Sequence, residues 1–153
     1  MRLLTLIIFA LSAFAANADP KAREGWKVHP TSYAYKDLID RLKAATKANK
    51  MGVVTQAGPS GAAKNRGITI PGNRVIGVFN NKFAVEMLAA SESAMIEAPV
   101  RFYVTEQPDG TATLSYKTPS LVFAPYAEDS AEVMEIAGRL DQLFAKIAAA
   151  AVE

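Results

Sequence analysis

His29 is the only imidazole in a chain of 153 residues that contains no cysteine. Those two facts bound the chemistry. A zinc or redox-metal site needs three or four converging ligands, so any such site would be built mostly from carboxylates. A general base needs a positioned partner, and nothing in the local sequence supplies one for His29, which stands at a strand end before Pro30. His29 is therefore read as a structural or surface residue. The alternative is an axial haem ligand, with Met87 or Met95 opposite. The chain has no Cys-x-x-Cys-His run for covalent haem attachment.

Other residue groups fall short of a known chemistry in identifiable ways. Gly58-Pro59-Ser60-Gly61-Ala62-Ala63-Lys64 has the look of a phosphate-cradling loop. A P-loop needs Lys directly after its second glycine, so that amides and ammonium meet the phosphates together; here Ala62 stands there. A strand-to-helix turn with Ser60 as cap is expected instead. Lys64, Arg66 and Arg74 could rim an anion site, although an exposed, solvated cluster is the plainer reading. Glu128, Asp129, Glu132 and Glu135 form the densest acidic group. They lack the ligand spacing of a calcium loop and suit the first turn of a helix, where the macrodipole favours carboxylates.

Met51, Met87, Met95 and Met134 are scattered, without the short repeats of a copper binder, and are read as core. Ser115 and Ser120 have no Gly-x-Ser-x-Gly setting. Trp26, Tyr103, Tyr116, Phe123 and Tyr126 are the side chains best suited to line a small-molecule pocket, and equally to form sheet core or a dimer interface. No catalytic set is complete, and no metal or cofactor ligands are assigned.

The elements that must position these residues follow from periodicity. Trp26 to His29 alternates as a half-buried strand, stopped by Pro30. Thr31 or Ser32 can cap a helix whose apolar positions are Tyr35, Leu38, Ile39, Leu42 and Ala45. Its wet face offers an Asp37–Arg41 pair, and Asn49 and Gly52 end it. Val53 to Ala57 reads as a second strand, and Arg74 to Phe79 as a third, apolar enough to be central or buried on both faces. Asn80 or Asn81 can cap a helix over residues 82–91. Val100 to Lys117 alternates with period two around Pro108-Asp109-Gly110, which predicts a β-hairpin. A loop is expected over residues 118–128, then a long helix from Asp129 and Glu132, with Val133, Ile136, Leu140, Phe144 and Ile147 on its apolar face. The order β-α-β-β-α-β-β-α predicts an α+β two-layer sandwich, its helices packed on one sheet.

The chain opens with Met1-Arg2, an uncharged run from Leu3 to Ala16, and then Ala16-Asn17-Ala18. This is the pattern of a cleaved secretory signal peptide over residues 1–18. It is too short to span a bilayer comfortably and leaves no anchor after cleavage. The cut is expected between Ala18 and Asp19, with Ala15 as a second frame. A flexible stretch over 19–25 and one domain over 26–153 would follow. Cleavage lowers the formal charge from +2 to +1, which gives no argument for nucleic-acid binding. A periplasmic or secreted location is expected.

Several local runs resemble the DUF302 family, a domain of unknown function. They are Asp40-Arg41-Leu42-Lys43-Ala44-Ala45 with Lys50-Met51-Gly52-Val53-Val54, Val75-Ile76-Gly77-Val78-Phe79-Asn80-Asn81, Ala98-Pro99-Val100-Arg101-Phe102-Tyr103-Val104, and Leu114-Ser115-Tyr116-Lys117-Thr118-Pro119. The likeness covers roughly Gly25 to Ile147. It departs at Ala57-Gly58-Pro59-Ser60, where the family often carries an Asp-His pair, and at Asn80-Asn81, where it has Asn-Pro. The resemblance implies a two-layer sandwich, often a homodimer, and no established chemistry. The expected function is a non-enzymatic binding or interaction module of the cell envelope. A carrier of haem or a metal ion and an envelope hydrolase are the alternatives.

Overall fold

The computed structural model describes residues 22–153, so the expected cut between Ala18 and Asp19 lies outside the described residues. Alternation decides the sheet. In β4 (Val100–Glu106) and β5 (Thr111–Lys117), Phe102, Val104, Leu114 and Tyr116 point to one side and are buried. The turn between these strands closes as the Pro-Asp-Gly signal predicts. Asp109 Oδ1 accepts from Thr111 N at 3.0 Å and from Thr111 Oγ1 at 2.6 Å, and Gly110 takes a positive φ of 84°.

The sheet has five strands in the order β1-β5-β4-β3-β2. Adding β1 (Trp26–Ala34), β2 (Gly52–Ala57) and β3 (Asn73–Phe79) makes every neighbouring pair antiparallel. β4 is the central strand. The apolar run expected to be central is β3, one place from the edge, with Ile76 and Val78 buried. Its outer side is closed at Gly77, where an added Cβ would sit 2.1 Å from Thr55 Oγ1 and 2.8 Å from the Pro99 ring. Only glycine admits that approach.

Two helices follow their periodicity closely. In α1 (Tyr35–Ala48), Leu38, Ile39, Leu42 and Ala45 are buried. In α5 (Ala131–Val152), Val133, Ile136, Leu140, Phe144 and Ile147 are buried. Phe144 stacks on Phe102 with ring centres 4.5 Å apart, and Tyr116 closes the cluster. The remaining helices are α2 (Ser60–Asn65), α3 (Asn81–Ala90) and α4 (Pro119–Phe123), with 3-10 turns at Ser93–Glu97 and Ala124–Tyr126.

Local chemistry corrects the expectations at several element ends. Pro30 does not stop β1, which continues to Ala34 through a register shift between Pro30 and Ala34. On an edge strand, proline breaks no ladder bond that the sheet needs. α1 begins at Ala34 without a side-chain cap, because Thr31 Oγ1 donates instead to Ala112 O at 2.6 Å. Arg41 donates from Nε to Ala151 O at 2.8 Å and lies over the Tyr33 ring, which ties α1 to the end of α5 in place of the Asp37 pair. The expected 118–128 loop contains α4, because Thr118 accepts from Leu121 N and Pro119 fits the first turn. Ser130, not Asp129, caps α5.

Asn80 is the cap of α3 and does more than cap. Its Oδ1 accepts from Lys82 N at 2.9 Å, and its Nδ2 donates to the carbonyl of Lys50 at 2.8 Å. Lys50 holds a positive φ of 59° after α1, a conformation that disfavours side chains. One amide thus fixes the start of one helix and the exit of another. Asn80→Ala is expected to lower stability by about 1–2 kcal/mol, and Asn81→Ala by less than about 0.5 kcal/mol, measured by urea denaturation of the two variants side by side.

Candidate functional site

Chain direction brings three segments to one end of the sheet. β1 lies at one edge and β2 at the other, so α1 must start beside the end of β1 and cross the sheet. Its first turn meets α2, the 66–72 segment and the end of β4. Between them lies a cleft of about 620 Å³, walled by Tyr35, Lys36 and Asp37 of α1, Ser60 and Lys64 of α2, and Glu106 of β4. Ile68 and Ile70 supply apolar wall. The volume falls in the range of small-molecule sites.

The cleft is held by backbone-level contacts. Glu106 accepts from Gly72 N through Oε2 at 2.6 Å, and Glu106 N donates to Gly72 O at 2.8 Å. Ser60 Oγ donates to Pro71 O at 3.2 Å. Gly72 lies flat against Tyr35, since an added Cβ would be 2.7 Å from that ring. The Tyr35 hydroxyl is buried and has no hydrogen-bond partner of ordinary geometry; nor has the buried Nε of neighbouring Arg74. Burial pushes the Tyr35 phenol above its ordinary value, while the Arg74 side chain, in hydrogen-bonding reach of the hydroxyl and positively charged, pulls the other way. Buried polar groups without partners are uncommon, and each calls for an explanation.

The cleft gathers some of the expected residues and leaves others apart. Lys64 lines it and Arg74 stands beside Tyr35, but Arg66 turns away, its Nε donating to Ala62 O at 3.4 Å. The phosphate-loop look of Gly58 to Lys64 resolves into a turn and α2. Pro59 takes the cap position in place of Ser60. Gly58 is there because a Cβ would meet Asn73 O at 2.2 Å.

The acidic group serves helix ends. Glu132 accepts from the Ser130 hydroxyl, which lowers its carboxyl pKa, and Asp129 accepts from the Ser91 hydroxyl. Among the described residues, no three His, Cys, Asp or Glu side chains gather as a metal site. Ser115 is fully buried, and Ser120 caps into Asp141 through its backbone N at 2.9 Å.

His29 is not paired with a methionine. It sits opposite Leu114, on the helix side of the sheet, and stacks on Tyr116 at 6.0 Å. Met87 and Met95 line an apolar cavity of about 40 Å³ with Met51, Phe83, Phe123 and Phe144. The ring series Tyr116–Phe144, centres 5.7 Å apart, runs between His29 and that cavity. Of the aromatic candidates, Tyr116 and Phe123 are core, and Tyr126 donates to Glu97 at 3.0 Å. Trp26 and Tyr103 line a separate depression on the sheet.

The sequence reading missed Tyr35, Gly72 and Glu106 as site residues. Tyr35 carried only a helix-face signal, Gly72 a turn signal, and Glu106 none.

Residues 27–151 match the model of DUF302, described as a domain of unknown function. The fold is similar to a crystal structure of an uncharacterized conserved protein DUF302 from Bacillus stearothermophilus. The TM-score is 0.72 at 17% identity, covering 86% of this chain and 100% of that one. No curated protein matches the chain.

The environment of His29 sets a pH dependence. Burial, reinforced by the Lys27 cation, lowers its pKa from the ordinary 6.5, and its Nε2 is buried without a partner. The folded state therefore disfavours the imidazolium. As pH falls below about 6.5, the unfolded chain binds the proton first, so stability drops between that value and the lowered folded pKa. Above 6.5 both states are neutral and the contribution is complete. His29→Phe is expected to flatten the thermal-stability profile between about pH 5 and 7, measured by calorimetry across that range. An unchanged slope in the variant would refute this assignment.

Proposed function

Because the chain belongs to the DUF302 family of domains of unknown function, we propose that it is a non-enzymatic ligand-binding module, exported to the cell envelope, that holds a small polar molecule in the cleft beside Tyr35. The observation that carries this reading is the buried pair of Tyr35 hydroxyl and Arg74 Nε, which stand side by side without a hydrogen bond of ordinary geometry. A folded protein keeps such groups at a cost unless something completes them. The cleft balances Lys36 and Lys64 against Asp37 and Glu106, with Ile68 and Ile70 beside them. A zwitterion with a modest apolar part meets all of these groups. Nothing in the cleft forms a nucleophile–base pair, which favours binding over hydrolysis.

Export rests on the greasy N-terminal run and its small-residue end. Association as a homodimer is part of the same reading. Fractionation of the native host, intact mass measurement and light scattering test these parts. The expected species starts at Asp19, resides outside the cytoplasm and has twice the chain mass.

Tyr35→Phe separates a ligand-binding hydroxyl from a structural one. If the hydroxyl awaits a ligand, its removal leaves the stability of the free protein within about 0.5 kcal/mol of wild type or raises it. A structural bond would instead cost about 1–3 kcal/mol. Screening free amino acids by thermal shift is expected to find ligands that raise Tm for the native chain and not for Tyr35→Phe or Arg74→Met, since a ligand of the folded state must add stability. Equal shifts in all three proteins would overturn the assignment of this cleft.

A further inference from the structure

Among the described residues the helices pack on one side of the sheet, and the other side has its own chemistry. Residues directly opposite in an antiparallel ladder share a face. The outward set therefore runs Trp26–Lys117, Val28–Ser115, Ser115–Tyr103, Tyr103–Val75 and Arg101–Gly77 across the strands. Asn73, Thr105 and Thr113 continue it. No carboxylate occupies any of these positions.

A depression of about 420 Å³ lies at this face, lined by Trp26, Val75, Glu97, Arg101, Tyr103 and Lys117. Glu97 is engaged by the Tyr126 hydroxyl. Arg101 and Lys117 are exposed. The ion pairs among the described residues are Lys43–Asp40 and Arg139–Glu86, so neither cation has an acidic partner. Lys117 Nζ lies 5.6 Å from the centre of the Trp26 ring, and the Arg23 guanidinium 5.7 Å. On the same face Thr105 is only 2% exposed, and its Oγ1 lacks a partner. Two aromatic walls and two cations without an ion-pair partner therefore share one depression, and Thr105 is buried elsewhere on the same face.

We propose that this bare sheet face is a second binding site, for a planar aromatic anion, distinct from the cleft beside Tyr35. Arg101 and Lys117 meet the anionic group, and Trp26 and Tyr103 flank the ring. Charge-assisted bonds to such cations are stronger than neutral ones, and rings stack in offset or edge-on contact. The volume suits a compact ligand. A second copy of the chain is disfavoured as occupant, because two such faces would bring two Arg101 and two Lys117 together, with Glu97 as the one lining carboxylate of each.

Trp26 is the single tryptophan of the chain, so its fluorescence reports occupancy directly. The test titrates the protein with 2-naphthoate, with naphthalene-2-methanol (the same rings, no charge) and with cyclohexanecarboxylate (the charge, no aromatic ring). Saturable quenching by 2-naphthoate is expected, with both controls at least about tenfold weaker. Arg101→Gln with Lys117→Gln is expected to weaken 2-naphthoate about tenfold or more. Both residues are exposed, and unaltered circular dichroism would confirm that the variant folds. Tyr35→Phe is expected to leave this binding unchanged. Three binding results would each overturn the proposal, and a fourth result concerns self-association. The three are no saturable quenching up to about 1 mM, equal binding of the uncharged ring, and full affinity in the double variant. A concentration-dependent dimer that buries Trp26 and blocks 2-naphthoate would overturn it in favour of self-association.

Discussion

Phe144 stacked on Phe102 is the contact on which the molecule is organised. One ring comes from the longest helix and the other from the central strand, and both are fully buried. Tyr116 meets the first at 5.7 Å and the second at 5.2 Å, in tilted and edge-on orientations that suit the ring quadrupoles. Each such side chain contributes about 1.5–3 kcal/mol through burial. With no cysteine in the chain, cohesion rests on this kind of packing. α5 is also the element against which α1, α3 and α4 pack, so anchoring it anchors the layer.

One helical layer covers one side of a sheet, and the uncovered side is a direct consequence. The sequence of the strands accommodates it. Inward positions carry Phe102, Val104, Leu114 and Tyr116, while outward positions carry Ser, Thr, Tyr and basic residues. At Thr113 and Ser115 the outward side chains are small enough to be fully shielded by taller neighbours. The second consequence lies at the end of the sheet. Strands β1 and β2 occupy opposite edges, so α1 has to cross between them, and its first turn is left beside α2 and the end of β4. The cleft near Tyr35 is a product of that crossing.

Polar groups left without partners mark where packing and function disagree. Among the described residues these are His29 Nε2, the Tyr35 hydroxyl, Arg74 Nε and Thr105 Oγ1. Tyr35 lines the cleft with Arg74 beside it, and Thr105 lies on the face away from the helices. His29 is enclosed against Tyr116, where it acts on stability through its protonation. Elsewhere, serines, threonines and asparagines cap helices and close turns, as Asn80, Thr118 and Ser130 do. Beside these satisfied caps, the unpaired groups are the informative exceptions.

By itself the sequence determined the elements whose signal is local. The hairpin around Pro108-Asp109-Gly110, the apolar faces of α1 and α5, and the two-layer arrangement all follow from periodicity and turn chemistry within about twenty residues. The absence of a thiol and the single imidazole limited the chemistry before any fold was known. Local signals misplaced element ends where a distant partner competed, as when Ala112 claimed the Thr31 hydroxyl and Ser91 claimed Asp129. The sites were decided by tertiary structure alone. Tyr35, Gly72, Arg74 and Glu106 are spread over residues 35–106, and Trp26 and Tyr103 come from strands that are not neighbours in the chain. Strand order brings them together, and strand order is set by long-range packing that no local period encodes.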